Sequence, residues 1–451
     1  MMAEMDPSSL VARDLRVLWH PCTQMQDHER HPPVPIRRGH GIWIEDFEGR
    51  RYLDGISSWW VNLFGHANPR INAAVARQLG ELEHVLLAGF THEPVVTLSE
   101  RLIHIAPPGL TRCFYAESGA AAVEIALKMS LHYWRNTGKP EKTQFVSLAH
   151  AYHGDTLGAL ALSDIGLYRA PYEALLPSWP KSPSPAIDDS GDDPLRQAER
   201  AADGLEHVLE LNADRVCGVV VEPLVQCAGG MRMHSPRYLS RVREACSRHG
   251  VHMIVDEIAV GFGRTGTMFG CEQGSITPDL LCVGKGLTGG YLPLSACLAT
   301  DAVYEAFYGG GPERAFLHSH SYTGNPLACA AAMATLSIFE EDDVLARNRM
   351  LAEHLARRLA LLRDHPHVAN VRQTGLIAAL DLVPDKNSGE HYPAHERRGR
   401  RACERAFTRG VLLRPLGDVL YLMPPYIATP ADIDQLVDAL ADSADYATAD
   451  G

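Results

Sequence analysis

The chain has 451 residues, of which 46% are hydrophobic and 22% are charged, and its formal net charge is −13. This length predicts two or three folding units with a large buried core, and the composition excludes a disordered or collagen-like chain. The negative charge argues against a nucleic-acid partner, because a phosphate-binding surface needs a basic face. Only six of the cationic residues are lysines, so any chemistry that requires a lysine has few candidates.

The cysteines and the N-terminus bear on the compartment. Ten cysteines are scattered without a CxxC pair, and several lie in apolar runs, where reduced cysteine behaves as a small hydrophobe. This usage predicts a reducing, cytoplasmic location. Residues 1–14 are acidic and lack the apolar core of a signal peptide, and no stretch reaches the roughly eighteen apolar residues of a membrane span. We therefore expect neither secretion nor a membrane partner.

Short apolar runs alternate with longer helical patterns through the middle of the chain. This alternation is typical of an α/β domain with a largely parallel sheet. A helix is predicted over 120–135, because Val123, Leu127 and Trp134 recur at helical spacing, and an alanine-rich helix over 327–336. The predicted strands of this domain cover 112–115, 144–148, 217–221, 252–255, 280–283 and 294–298.

The character of the sequence changes twice outside these runs. Residues 177–194, rich in Pro, Ser and Asp, predict a long surface excursion. After residue 336 come arginine-rich helices with two short strands, 377–382 and 419–422, which favours a smaller α+β domain formed with the N-terminal segment. The predicted division is an N-terminal segment over 1–75, a large domain over 76–335 and a C-terminal part of the small domain over 336–451.

Ligands of open α/β sheets bind beyond the carboxyl ends of the strands, so polar residues there are the first candidates. Ser118 and Gly119 follow the strand 112–115 and can form a phosphate cradle at a helix N-terminus, although a simple Ser N-cap is the commoner interpretation. Tyr152 follows the next strand and can place its ring over a planar cofactor, the alternative being a core tyrosine.

Two further strand ends carry charged residues. Asp256 and Glu257 follow the strand 252–255, where a carboxylate can cap a helix, bind a metal or pair with a cationic cofactor nitrogen. No cluster of suitable spacing accompanies them, so no metal is expected. Lys285 follows an apolar strand in a glycine-rich turn, and a lysine desolvated there has a lowered pKa suited to Schiff-base chemistry. A P-loop is excluded because the GxxxxGK[ST] run is absent.

A phosphate cradle, an aromatic ring, a carboxylate and a lysine thus follow successive predicted strands. This combination predicts pyridoxal 5′-phosphate as the cofactor. Its site needs a lysine for the aldehyde and an aspartate that keeps the pyridine nitrogen protonated.

The motifs that surround these residues resemble those of the class III aminotransferases over nearly the whole chain. Ala259 and the pair Trp59-Trp60 are similar to the branch of that family that makes 7,8-diaminononanoate in biotin biosynthesis. The most specific motifs are DGISSWW from Asp54, DEIAVGFGRTG from Asp256, GKGLTGGYLPL from Gly284 and RPLG from Arg414.

The resemblance implies a fold-type I α/β architecture and assigns roles. The large domain would have a mostly parallel seven-stranded sheet with helices on both faces, and a homodimer would carry its active sites at the subunit interface. Lys285 would bind the cofactor covalently, Asp256 would hold its nitrogen and Tyr152 would stack on its ring. The phosphate would be bound by Ser118, Gly119 and, across the interface, Ser321, and His320 would also contact the cofactor.

The resemblance also implies the substrate contacts. Arg414 would anchor a carboxylate, Trp59 would shape the pocket, and Arg264 would be either a second anion contact or part of a structural salt bridge. The implied substrate-binding residues are Cys22, Trp59, Trp60, Tyr152, Arg264, Lys285, Ser319 and Arg414.

The implied reaction is a ping-pong transamination of 8-amino-7-oxononanoate, with S-adenosylmethionine as donor and lysine as the alternative. Cys22 stands where the family has an aromatic associated with stacking on adenine, and the turn His318-Ser319-His320-Ser321 is similar to that of lysine-using members. The alternatives are another class III transaminase acting on an ω-amino acid or diamine, a decarboxylase or aminomutase on the same fold, and a metabolite-binding regulator.

Overall fold

The computed structural model describes residues 8–187 and 192–449. Its strands are β1 (Ile36–His40), β2 (Trp43–Asp46), β3 (Arg51–Asp54), β4 (Leu110–Ala116), β5 (Gln144–Leu148), β6 (Lys181–Ser182), β7 (Val216–Val221), β8 (Val225–Gln226), β9 (Arg232–Met233), β10 (His252–Asp256), β11 (Leu280–Val283), β12 (Ser295–Thr300), β13 (Val368–Thr374), β14 (Ile377–Leu382), β15 (Val411–Leu412) and β16 (Val419–Leu422).

The helical segments, apart from short 3₁₀ turns, are α1 (Leu10–Val17), α2 (Ser57–Trp60), α3 (Pro69–Leu79), α4 (Glu93–Ile105), α5 (Gly119–Asn136), α6 (Leu157–Leu162), α7 (Gly166–Arg169), α8 (Pro194–Asn212), α9 (Arg237–His249), α10 (Asp301–Glu305), α11 (Pro326–Glu341), α12 (Val344–Leu359), α13 (Arg398–Thr408) and α14 (Pro430–Thr448). None of the described helices is both long and apolar enough to span a bilayer.

The central element is a seven-stranded sheet in the order β4-β12-β11-β10-β7-β5-β6. Every neighbouring pair is parallel except those that involve β12, which runs antiparallel to both β11 and β4. The six predicted strands of the large domain are confirmed, with ends that differ by at most two residues, and the predicted mostly parallel sheet is confirmed with them.

Helices cover both faces of this sheet, because successive strand residues point into two different hydrophobic cores. Ile254 and Cys282 pack with α5 on one face, whereas Val255 and Leu281 pack with α8 and α9 on the other. Strands buried on both faces are near-continuous apolar runs, which is why the central strands were recognisable in the sequence. The predicted helices 120–135 and 327–336 correspond to α5 and to the longer α11.

Two smaller sheets combine distant parts of the chain. β15 joins β1, β2 and β3 by pairing in parallel with β3, and β13, β14 and β16 form an antiparallel sheet. The predicted strands 377–382 and 419–422 are β14 and β16. β13 was missed, because it contains few apolar residues and most of its side chains are only half-buried. The domain division at 75/76 and 335/336 stays a prediction.

The predicted excursion 177–194 contains a short edge strand, β6, which extends the large sheet beyond β5. Its residues 188–191 lie outside the described residues, as do residues 1–7 of the acidic N-terminal segment.

Candidate active site

The parallel strands of the large sheet direct their carboxyl ends to one edge, where a cavity of about 390 Å³ opens. The turns after β4, β5, β7, β10 and β11 all contribute to its lining. Five residues of the predicted site lie together in its wall, namely Trp60, Gly119, Tyr152, Asp256 and Lys285. The remaining lining residues are Ala120, His153, Gly154, Asp155, Thr156, Glu222, Val225, Cys227, Ala228, Ile258, Ala259 and Val260.

The predicted phosphate cradle lies where α5 begins. The hydroxyl of Ser118 accepts the N–H of Ala121 at 3.2 Å and therefore caps the helix, while Gly119 lines the cavity. The positive end of an 18-residue helix thus faces the cavity, which suits an anion. The main chain around the cradle packs too closely for a side chain at two glycines. A Cβ on Gly119 would lie 2.8 Å from Ile258, and a Cβ on Gly154, which has φ +135°, would lie 2.5 Å from Ala120.

Asp256, the last residue of β10, is 6% exposed and points at His153. Its Oδ2 lies 2.7 Å from Nδ1 of His153, and its Oδ1 accepts the N–H of Ile258 at 3.1 Å. Burial alone would lower the pKa of His153, but the hydrogen bond to Asp256 and the charge of that carboxylate outweigh burial and raise it. The hydrogen bond therefore holds the carboxylate of Asp256 in a fixed orientation at the cavity wall. His153 was missed as a functional residue, although it follows Tyr152 directly.

Lys285 begins the turn after β11 with φ +41°, a conformation that residues other than glycine rarely adopt. Strain of this kind persists where the surroundings impose it, most often at functional sites. Burial lowers the pKa of the Lys285 amine, although the charges of Asp256, Cys227 and Glu222 act against that shift. Nζ lies 4.9 Å from the ring centre of Trp60. A neutral amine is the nucleophilic form, so this environment favours attack on a carbonyl carbon.

The two tryptophans lie on α2, a turn with left-handed backbone geometry. Its four residues all have positive φ, from 46° at Ser58 to 77° at Trp59. Each such residue costs about 1–2 kcal/mol, so the turn needs strong local support. As a result of this turn, Trp60 lines the cavity, whereas its neighbour in the chain, Trp59, is 38% exposed.

Asp54 provides that support from a fully buried position. Its Oδ1 accepts the N–H of Ser58 at 2.9 Å, and its Oδ2 accepts the hydroxyl of Ser58 at 2.7 Å and faces Nε2 of His66 at 3.1 Å. On the other side of the turn, Ser57 donates to the carbonyl of Met423 at 2.7 Å. Asp54 is a second residue of the site that the sequence pattern did not indicate.

The substrate residues predicted from the two ends of the chain, Cys22, Trp59 and Arg414, do not line the cavity, although Trp59 directly precedes Trp60, which does. We call the region of these three residues the mouth of the cavity. The guanidinium of Arg414 lies 4.1 Å from the ring centre of Trp59. Burial raises the pKa of Tyr152, and Asp155 and the exposed Cys22 add to that shift. The ring of Tyr168 lies 6.0 Å from that of Tyr152.

Arg264 does not match the salt-bridge role expected for it. It is 1% exposed and lies outside the cavity lining, and no carboxylate of the described residues comes within 4.0 Å of it. Its guanidinium instead donates to main-chain carbonyls, at 2.7 Å to Pro424 and 3.2 Å to Asn62. The salt-bridge alternative is therefore wrong for this structure, because the turn around Asn62 and the segment after β16 near Pro424 present carbonyls to the buried guanidinium. The anion contact stays a prediction.

The turn 318–321 lies outside the cavity lining of its own chain. Ser319 and Ser321 are exposed, whereas His320 places Nδ1 2.6 Å from Oε2 of Glu117, next to the phosphate cradle. His318 faces the amine of Lys128 at 2.7 Å.

The cavity residues match what pyridoxal phosphate requires. A lysine, a carboxylate held by a histidine and a helix N-terminus with a close-packed glycine line one cavity. Among the described residues, no three His, Cys, Asp or Glu side chains are grouped so that they could hold a metal ion.

Comparison with known proteins agrees with this chemistry. The family model of the class-III aminotransferases matches residues 24–443. The chain is 45% identical to the adenosylmethionine-8-amino-7-oxononanoate aminotransferase of Geobacter sulfurreducens, over 98% of both chains, and 43% identical to that of Helicobacter pylori, over 97% of this chain and 98% of the other.

Solved structures give the same result. The crystal structure of adenosylmethionine-8-amino-7-oxononanoate aminotransferase from Methanocaldococcus jannaschii superposes with a TM-score of 0.91 at 37% identity, covering 96% of this chain and 98% of the other. The omega transaminase from Pseudomonas jessenii in complex with PMP superposes with a TM-score of 0.92 at 30% identity, covering 98% of both chains.

Proposed function

Because the chain belongs to the class III aminotransferases, we propose that it aminates 8-amino-7-oxononanoate to 7,8-diaminononanoate in biotin biosynthesis. One observation carries the chemistry: Lys285 and Asp256 line the same cavity as the N-terminus of α5. The assignment of the substrate is supported by relatives that are more than 40% identical to this chain over nearly its full length and are named for that activity.

Pyridoxal 5′-phosphate supplies a reactive aldehyde and a ring that accepts electrons. Lys285 would bind the aldehyde through its neutral amine and, once released by a donor amine, would move the proton between donor and cofactor carbons. Asp256, fixed by His153, would hold a proton at the pyridine nitrogen. Gly119 and the free N–H groups of α5 would hold the phosphate, and Tyr152 would pack on the ring.

The substrate would lie between the cavity and its mouth. Trp60 and Tyr152 offer apolar walls to its aliphatic chain, and Arg414 beside Trp59 offers a planar cation to the carboxylate at its far end. Arg414→Ala should raise the KM for the oxononanoate by about 10- to 100-fold, the loss of a charged hydrogen-bonded pair. Arg409→Ala, which removes an arginine paired with Asp442, is the control and should keep the wild-type KM.

We infer S-adenosylmethionine as the amino donor. The support is the similarity over the full chain to enzymes named for that donor, while Cys22 leaves the site without an aromatic ring at the expected stacking position. Purified protein with the oxononanoate and either S-adenosylmethionine or lysine decides the point, with the diamine measured by mass spectrometry. Diamine formed only with lysine would overturn the donor, and no diamine with either would favour another ω-amino acid or diamine transaminase.

We also infer a cytoplasmic homodimer whose partner supplies Ser321. All ten cysteines are free, as a reducing compartment requires, and Ser321 is exposed outside the cavity of its own chain. A mixed dimer of Lys285→Ala and Ser321→Ala chains tests the assignment. If the residue crosses the interface, one of its two sites keeps both wild-type residues and binds the cofactor with wild-type affinity. If no such site appears, the crossing is wrong.

A further inference from the structure

Glu222 is a buried acid in the cavity wall to which the proposed reaction assigns no role. It is the first residue after β7, so it lies at the same sheet edge as Asp256 and Lys285. It is 5% exposed and lines the cavity with them. A carboxyl group is costly to bury, so its retention in the wall calls for an explanation beyond packing.

Both carboxyl oxygens of Glu222 hold main chain that borders the cavity. Oε2 accepts the N–H of Tyr152 at 3.1 Å, and Oε1 accepts the N–H of Cys227 at 3.1 Å. One side chain therefore joins the turn after β5 to the segment after β8, and both partners line the cavity. The position of the Tyr152 ring depends on this contact, because the N–H belongs to the residue that carries the ring.

The groups that face Glu222 come from several elements. They are His153 on the turn after β5, Asp256 at the end of β10, Cys227 after β8 and Lys285 after β11. Burial raises the pKa of Glu222 to about 7, Asp256 adds to the shift and His153 acts against it. Conversely, the charge of Glu222 acts against the lowering of the Lys285 pKa by burial.

We propose that Glu222 is a positioning residue of the active site with two effects. It fixes Tyr152 beside the cavity through the main chain, and its negative charge favours the protonated form of the Lys285 nitrogen. The inference rests on the cofactor of the proposed function and not on the identity of the ketone substrate.

The chain contains a matched control in Glu257. This residue is fully buried, burial raises its pKa to about 7, and its Oε1 accepts the N–H of Cys271 at 2.7 Å. It does not line the cavity. Glu222→Gln and Glu257→Gln thus both remove a buried carboxyl group that accepts a main-chain N–H, and only the first removes a charge from the cavity.

The test is a pH titration of the visible absorption of the pyridoxal-phosphate-loaded protein, read together with the thermal unfolding midpoint. Both variants should unfold at lower temperature. Glu222→Gln should lower the pH midpoint of the absorption change by about half a unit to one unit where that midpoint lies above about pH 7, because the carboxyl of Glu222 is ionised there and its negative charge is lost. Glu257→Gln should keep the wild-type midpoint. An unchanged midpoint in Glu222→Gln, or an equal shift in Glu257→Gln, would overturn the inference.

A second variant protects the test against a Glu222→Gln protein that does not fold. Glu222→Asp keeps the charge but withdraws it from the N–H of Tyr152, so it should keep the pH midpoint and bind pyridoxal phosphate several-fold more weakly. A midpoint lowered in Glu222→Asp would contradict the charge effect, and unchanged affinity would contradict the positioning effect. If the proposed substrate is wrong but the Glu222 inference is right, the absorption of these variants titrates as expected and no diamine forms from the oxononanoate.

Discussion

The floor and the mouth of the cavity are built in different ways. In the floor, Asp256, Lys285 and Glu222 each lie at or just after the end of a strand of one sheet, and buried contacts hold them. In the mouth, Trp59 stands on a strained turn and Arg414 comes from the far end of the chain. The floor is therefore as rigid as the sheet, whereas the mouth depends on a few side-chain contacts between distant segments.

The largest expected loss comes from the floor. Lys285→Ala should abolish the covalent, borohydride-reducible link between the chain and the cofactor and reduce turnover by at least about 10⁴-fold, as the loss of a covalent group does in other enzymes. Mass spectrometry after borohydride reduction and single-turnover assays measure the two effects. Lys181→Ala, which removes a surface partner of Asp164, should leave both unchanged. A Lys285→Ala protein in which borohydride still fixes the cofactor to the chain would refute the assignment.

Asp256→Asn should come next, with turnover reduced by about 10²- to 10³-fold, the range seen when one preorganised electrostatic group is removed. The amide keeps the shape but lacks the charge that is paired with His153. Asp279→Asn is the matched control, since Asp279 also accepts a main-chain N–H, from Met253 at 2.7 Å, and pairs with Arg243. Equal losses of turnover in the two variants would show that Asp256 is only structural.

At the mouth, Asp54→Asn should raise the KM for the oxononanoate by about tenfold with a smaller change in kcat. The amide nitrogen cannot accept from the hydroxyl of Ser58, and one such contact is worth about 1.5–3 kcal/mol. Asp46 offers the comparison, because it also supports a turn through main-chain N–H groups, at Glu48 and Arg50. If Asp46→Asn raises the KM equally, the strained turn is not what shapes the pocket.

The smallest effect is expected from Asp27, which follows Cys22 in the N-terminal segment and pairs with Arg397, just before α13, and with Arg400 on α13. Exposed pairs contribute about 0.2–1 kcal/mol each, so Asp27→Asn should raise the KM for the amino donor only two- to fivefold, and less at high salt. Asp442→Asn breaks the same kind of pairing, with Arg405 and Arg409, and should leave the KM unchanged.

Acid should remove the stabilisation that the ion pairs of Asp27 give to the folded protein. The hydrogen bond to Arg397 is the main cause that lowers the pKa of Asp27 well below its usual 3.8. A lowered pKa in the folded state means that the stabilisation is fully present above about pH 4 and disappears as the pH falls toward the folded pKa. The difference in thermal midpoint between wild type and Asp27→Asn should therefore shrink in acid, and a difference that grows there would contradict the pairing.

The sequence by itself determined the reactive residues of the floor, although not Glu222. Buried parallel strands are apolar runs that end where a polar residue follows, so Asp256, Lys285, Tyr152 and Gly119 could be placed at one sheet edge from local pattern alone. The motifs then identified the family.

Only the tertiary structure decided the contacts that join distant segments. That Asp54 holds the turn of Trp59, that Glu222 holds the N–H of Tyr152 and that Arg264 binds carbonyls follow from which loops meet in space. The periodicity of a sequence predicts which face of a helix or strand is buried, but it does not indicate which distant residue a given side chain contacts. The supporting residues of the site were therefore missed, while its reactive residues were found.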